Sequence, residues 1–212
     1  MKTRRLPKMI FILLMFTNNG YSQTHLWKTD KNADGTITVK SFVSERIDQK
    51  GETVPLIEYI AATSGMMTLQ NCIKIMKDVS VHNLFLDTKS NEKIKTISDN
   101  EWYNYYVFSA PWPFSPSDCI VKVNFAEDGK AKMAIFTLTA TPSILKMTSM
   151  NRFSYYNFIY SFKDLGNGNV EIMVTAKMTP PVSVPLWMLR ASFPSSAADP
   201  LEKLVKLIKN KS

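Results

Sequence analysis

Apolar and polar positions alternate along most of this chain, and the alternation gives way to helical spacing in only two places. Residues 27–31 and 36–43 read as strands split by Asn32-Ala33-Asp34-Gly35, a strong turn signal. After a second turn at Gln49-Lys50-Gly51-Glu52, Val54, Leu56, Ile60 and Ala62 are expected to line one face of a third strand. Glu58 interrupts that face, either as a solvated strand-edge carboxylate or as an acid inside a cavity. Over 68–78 the period lengthens. Leu69, Cys72, Ile73 and Met76 share a helical stripe, Gln70, Lys74 and Lys77 lie opposite, and Thr68 caps the start. A looser stretch to Ser90 holds one further helical turn near 81–85.

Alternation then resumes. Segments 93–97 and 101–108 form a hairpin around Ser98-Asp99-Asn100, and 118–126 meets 132–140 through Glu127-Asp128-Gly129. Segments 144–150 and 155–163 are predicted to continue the sheet, with Asn167-Gly168 turning into a last strand over 170–178. Pro180 and Pro181 stop it. From Pro185 the spacing is helical again, with Leu186, Leu189 and Phe193 on one stripe. Pro194 with Ser195 and Ser196 predicts a kink, because a mid-helix proline removes a backbone bond. From Pro200, Leu201, Leu204, Val205 and Ile208 share one face, backed by Lys203, Lys206 and Lys209.

This order predicts an α+β protein: nine or ten antiparallel strands in one sheet that curls around a long C-terminal helix. So many twisted strands cannot stay flat, and the concave face needs a cover that only the last helix can supply. Wherever side chains do not fill the space between them, an apolar cavity results.

Charge and composition narrow the picture. Lys2, Arg4, Arg5 and Lys8 precede an apolar run over 9–16 that is too short to span a bilayer, and Gly20 and Ser22 offer a cleavage site. Residues 1–22 therefore read as an export signal, residues 23–212 as one domain, and the mature protein as periplasmic or secreted. Removing the signal takes four of the 26 basic residues and none of the 18 acidic ones, so the net charge falls from +8 to +4. Half the basicity belongs to the signal, which argues against nucleic acid as a partner. A monomer is expected. Cys72 and Cys119, on a helix and a strand, are expected as two buried thiols, although the compartment would permit a bridge.

A stiff corner follows the Tyr-rich strand 101–108. It reads Pro111-Trp112-Pro113-Phe114-Ser115-Pro116-Ser117-Asp118, ahead of a strand in which Cys119, Val121, Val123 and Phe125 alternate with polar or outward positions. This corner resembles the PWPxxxRD pattern of the steroidogenic acute regulatory protein-related lipid-transfer (START) domains, with Ser117 in place of the usual Arg. Trp27 with its DG-type hairpin resembles the START opening. Leu145-Lys146-Met147 resembles a Val-Arg-Met-like strand, and the passage from Met178 through Pro181, Pro185 and Trp187 to Met188 is similar to the family's entry into its lid helix. Pro181-Val182 replaces the glycines found there.

The resemblance implies a helix-grip fold that binds one lipid or other hydrophobic molecule beneath the C-terminal helix, without a cofactor or metal. Inward positions supply the expected lining: Tyr105, Val107, Val121, Val123, Phe125, Phe158, Tyr160, Ile172 and Val174 from the sheet, with Trp187, Met188 and Phe193 from the helix. Each is equally a position that ordinary core packing would occupy. Asn104 is a candidate partner for a ligand head group, but alternation puts it on the face opposite Tyr105, so only one of the two points inward. His25 and His82 are the only histidines, and His82, in Ser80-Val81-His82-Asn83, reads as solvated. No phosphate loop or nucleophile motif occurs. Two alternatives stay open. One is a cyclase- or hydrolase-like helix-grip enzyme, built on carboxylates that only the fold would bring together. The other is a membrane-surface module using the lysines of the last helix, Lys211 included, beside its apolar stripe.

Overall fold

The computed structural model describes residues 27–109, 115–193 and 195–210. The predicted signal, His25, Pro111 to Phe114 of the corner, Pro194 and Lys211 lie outside them. Ten strands form a single sheet: β1 (Lys28–Lys31), β2 (Thr38–Ile47), β3 (Thr53–Met66), β4 (Thr88–Ser98), β5 (Glu101–Phe108), β6 (Ser117–Asp128), β7 (Met133–Ala140), β8 (Asn151–Arg152), β9 (Tyr156–Gly166) and β10 (Asn169–Met178). Their order is β1-β2-β3-β10-β9-β7-β6-β5-β4, with every neighbour antiparallel and β8 added in parallel to β6. The sheet is curved and not closed, so β1 and β4 are its edges. Asn167 and Gly168 both adopt positive φ, at 54° and 72°, the twist a tight two-residue hairpin requires between β9 and β10.

Inward side chains follow the pleat. Phe158, Tyr160 and Phe162 of β9 stand beside Ala176, Val174 and Ile172 of β10, and all six are buried. Helix α1 (Leu69–Lys77) begins where Thr68 accepts a hydrogen bond from the Asn71 amide, and buries Cys72, Ile73, Ile75 and Met76. A 3-10 helix (Val79–Leu84) follows it. The lid is α2 (Leu186–Ser192) followed by α3 (Ser195–Asn210), with Leu201, Leu204 and Ile208 turned into the core. Phe193 places its ring 5.8 Å from that of Tyr59 on β3, which holds the lid to the sheet.

Three expectations fail. On β3 the inward residues are Ile57, Tyr59 and Ala61, not Val54, Leu56, Ile60 and Ala62. Both faces of that strand are apolar, so alternation alone does not orient it. Glu58 faces outward, 2.7 Å from Lys177 on the neighbouring strand. Segment 144–150 is a loop rather than a strand, because its carbonyls are claimed by an arginine side chain described below. Finally, α3 starts at Ser195 rather than at Pro200, which sits past its first turn and withholds an amide from the Ser196 carbonyl.

Candidate functional site

The register of β5 against β6 decides what faces the interior. Trp102, Asn104 and Tyr106 lie opposite Val123, Val121 and Cys119, and all six are buried. Tyr105 and Val107 lie opposite Ile120 and Asp118 on the outer face, contrary to expectation. The strand is aromatic on both sides, and only the pairing resolves which side is which. Trp187 and Met188 also point outward, at 69% and 36% exposure, while Leu189 of the same helix is buried. A seven-residue helix has one narrow inward stripe, and Leu189 occupies it. Of the remaining candidates, Val121, Val123, Phe125, Phe158, Tyr160, Ile172, Val174 and Phe193 all belong to one contiguous buried cluster beneath the lid.

Within that cluster sits a polar chain that local sequence did not reveal. His82 is buried, 2% exposed, not solvated as expected, because the 3-10 helix packs it against β5. Its ring stacks on Tyr106 with centroids 5.9 Å apart. His82 Nε2 is 3.2 Å from the Met76 carbonyl, and Nδ1 is 2.8 Å from the Tyr106 hydroxyl. Asn104 Nδ2 donates to the same hydroxyl at 2.8 Å. Burial pushes the His82 pKa down to about 4, so the imidazole is neutral at ordinary pH.

The Asn104 Oδ1 and Trp102 Nε1 atoms are buried without a hydrogen-bond partner among the described residues. Orphaned buried polar atoms are few in folded proteins, since each forfeits its hydration for nothing in return. Tyr59, Tyr156 and Tyr160 are buried nearby, and desolvation raises all three of their pKa values. Tyr156 lies within electrostatic range of Tyr59, Tyr106 and Tyr160, which gathers four hydroxyls into one part of an otherwise apolar interior.

A second polar cluster lies on the outer face, and the predicted corner residue Asp118 is its anchor. Asp118 is fully buried and takes a two-pronged bond from Arg152, Nε to Oδ1 at 2.8 Å and Nη2 to Oδ2 at 2.7 Å. The Tyr105 and Thr148 hydroxyls donate to the same carboxylate at 3.2 and 3.1 Å. Arg152 gives its other protons to the carbonyls of Pro142, Leu145 and Lys146. Burial opposes ionisation of Asp118, but the Arg152 bond and charge outweigh it and hold the carboxyl below its ordinary pKa. Arg152 thus supplies, from 34 positions away, the corner partner that Ser117 lacks.

Both cysteines are buried and free, and desolvation raises the Cys72 pKa to about 12, which leaves the thiol inert. Among the described residues no group of three His, Cys, Asp or Glu side chains is placed to hold a metal ion. Two clefts follow the seam between the lid and the β1–β2 edge. One of about 220 Å³ is lined by Ser41, Val43, Arg190 and Phe193, and one of about 440 Å³ by Val39, Ala191, Ala198 and Glu202.

No curated protein matches the sequence. Residues 116–195 match the profile of the Phage T5 receptor-binding protein pb5 family, a stretch of less than half the chain. Solved structures agree over far more of it. A STAR-related lipid transfer protein from Xanthomonas axonopodis superposes with a TM-score of 0.73 at 19% identity, covering 86% of this chain and 98% of that one. Human STARD10 gives a TM-score of 0.68 at 16% identity, over 86% of this chain and 72% of its own. Human StAR-related lipid transfer protein 5 gives 0.63 at 16%, over 89% of each chain. Identities this low speak to architecture alone, and the architecture they share with this chain, a curved antiparallel sheet gripping a C-terminal helix, is the START helix-grip fold.

Proposed function

We propose that this protein binds one lipid or other hydrophobic molecule between the inner face of the sheet and the α2–α3 lid, without chemical turnover. The observation that carries this reading is the pair of orphaned atoms, Asn104 Oδ1 and Trp102 Nε1, within an apolar interior closed by a lid. An interior kept for packing alone gains nothing from a stranded acceptor, whereas a guest that reaches it would offset the penalty. Support also comes from two of the START-fold structures, from Xanthomonas axonopodis and human, which are named lipid transfer proteins. Apolar burial at about 25 cal/mol per Å² is enough to retain such a guest with no catalytic group. Export to the periplasm or outside the cell is part of the proposal and rests on the basic and apolar pattern of residues 1–22. Native mass spectrometry of the purified mature chain, followed by organic extraction, is the test. A co-purifying lipid at near-unit occupancy is expected, and a protein that neither carries nor takes up any hydrophobic molecule refutes the reading.

A transient membrane contact belongs to the same proposal, but its place moves. The apolar stripe of α3 is buried, which leaves its lysines as the solvated back of the lid. Exposed apolar side chains instead stand on two segments outside α3, one after β7 and one after β10. Trp187 and Met188 stand in the first turn of α2, and Ile144, Leu145 and Met147 lie on the loop that Arg152 holds rigid, with Lys146 among them. Binding to vesicles containing anionic lipid should fall when Trp187, Ile144 and Met147 become serine, and stay unchanged when Lys203 and Lys209 become glutamine.

A further inference from the structure

The interior polar chain has a direction, and that direction selects the chemistry of the guest. The Met76 carbonyl can only accept, so His82 Nε2 carries the proton. A neutral imidazole has one N–H, so Nδ1 is the acceptor and the Tyr106 hydroxyl donates to it at 2.8 Å. That uses the only proton Tyr106 has. Asn104 must therefore present its NH2 to Tyr106, which it does at 2.8 Å, and the amide oxygen is turned the other way. The four groups read as one relay that begins at a backbone carbonyl and ends at Asn104 Oδ1, a buried acceptor with no donor.

From this relay we propose that the site takes a hydrophobic molecule bearing a hydrogen-bond donor, a hydroxyl or an N–H, and discriminates against the matched carbonyl compound. The inference rests on the cavity reading above and adds the polarity of the guest to it. The tyrosine hydroxyls of the interior do not set that polarity, because a hydroxyl rotates to give or to take. Asn104 cannot turn without breaking its bond to Tyr106, and Tyr106 cannot reverse without displacing the proton fixed at His82. Trp102 Nε1, two residues along the same face, is a donor only. A guest hydroxyl is a group that can both give to the Asn104 oxygen and take from an indole N–H. A trapped water could satisfy the same atoms, but it would leave the protein indifferent to the polar end of its guest.

The experiment is a competition. Purified mature protein is offered an equimolar mixture of tetradecan-2-ol and tetradecan-2-one, which differ by one donor, and the bound species are read by native mass spectrometry. An excess of bound alcohol of about tenfold or more is expected, since a ketone can take from Trp102 Nε1 but leaves the buried Asn104 acceptor unpaired. Tyr106→Phe releases the amide to rotate, so the ratio should collapse towards one while a thermal melt confirms that the variant is folded. Equal binding of the two compounds by the unaltered protein, or a preference for the ketone, overturns the inference and leaves hydrophobic binding standing. Binding of neither compound, nor of tetradecane, overturns the cavity reading along with it.

Discussion

Two buried polar clusters lie back to back across β5 and β6, and they differ in completeness. On the outer face, all five guanidinium protons of Arg152 have acceptors, and both oxygens of Asp118 have donors. On the inner face, the His82–Tyr106–Asn104 chain stops one bond short. A finished network rigidifies its surroundings. An unfinished one costs stability unless something arrives to complete it. The contrast teaches that burial and hydrogen bonding by themselves do not mark a functional site; the missing partner does.

The comparison breaks most visibly at Asp118. Asp118→Asn should lower stability by about 3–5 kcal/mol, because it leaves the Arg152 charge buried and unpaired. Chemical denaturation measures the loss, and faster proteolysis within 141–150 should accompany it, since that loop hangs on Arg152. A change below about 1 kcal/mol would mean that the outer cluster is not the anchor described here.

The inner cluster should announce itself through pH. His82 is neutral when folded, with its pKa lowered from 6.5 to about 4 by burial. Between those values the unfolded chain binds the proton and the folded chain does not. Stability is therefore fully present above about pH 6.5 and falls as pH drops through that window towards 4. The loss approaches about 3 kcal/mol at the acid end. His82→Gln should flatten the dependence in urea titrations at pH 7, 5.5 and 4.5; an unchanged slope would place the titration elsewhere.

At Asn104 the two clusters separate most sharply. Asn104→Leu forfeits one hydrogen bond but also removes an orphaned acceptor, so its net effect on stability should lie within about 1 kcal/mol. A replacement this mild at a fully buried polar position has no counterpart at Asp118. Calorimetric melting of the two variants side by side makes the comparison direct. A comparably small effect belongs to Tyr105→Phe, which deletes one of several donors to Asp118. It should cost about 0.5–1.5 kcal/mol and leave uptake of any hydrophobic ligand unaltered, as befits an outward residue.

What the sequence determined by itself was the succession of elements. Strong turn pairs such as Asn167-Gly168, the clean alternation of β10 and the capped stripe of α1 are local signals, and each corresponds to the element it predicted. The curled sheet under a terminal helix follows from that succession and from the need to cover an apolar face. What only the tertiary structure decided was which side of an evenly apolar strand turns inward. Tyr105 and Val107 on β5, and the two faces of β3, look alike in sequence because both sides are greasy, and only pairing with a neighbour breaks the tie. The site lay beyond sequence for the same reason. His82 sits in a polar tetrapeptide and Arg152 lies 34 positions from Asp118, and neither acquires its role until long-range packing removes the water around it.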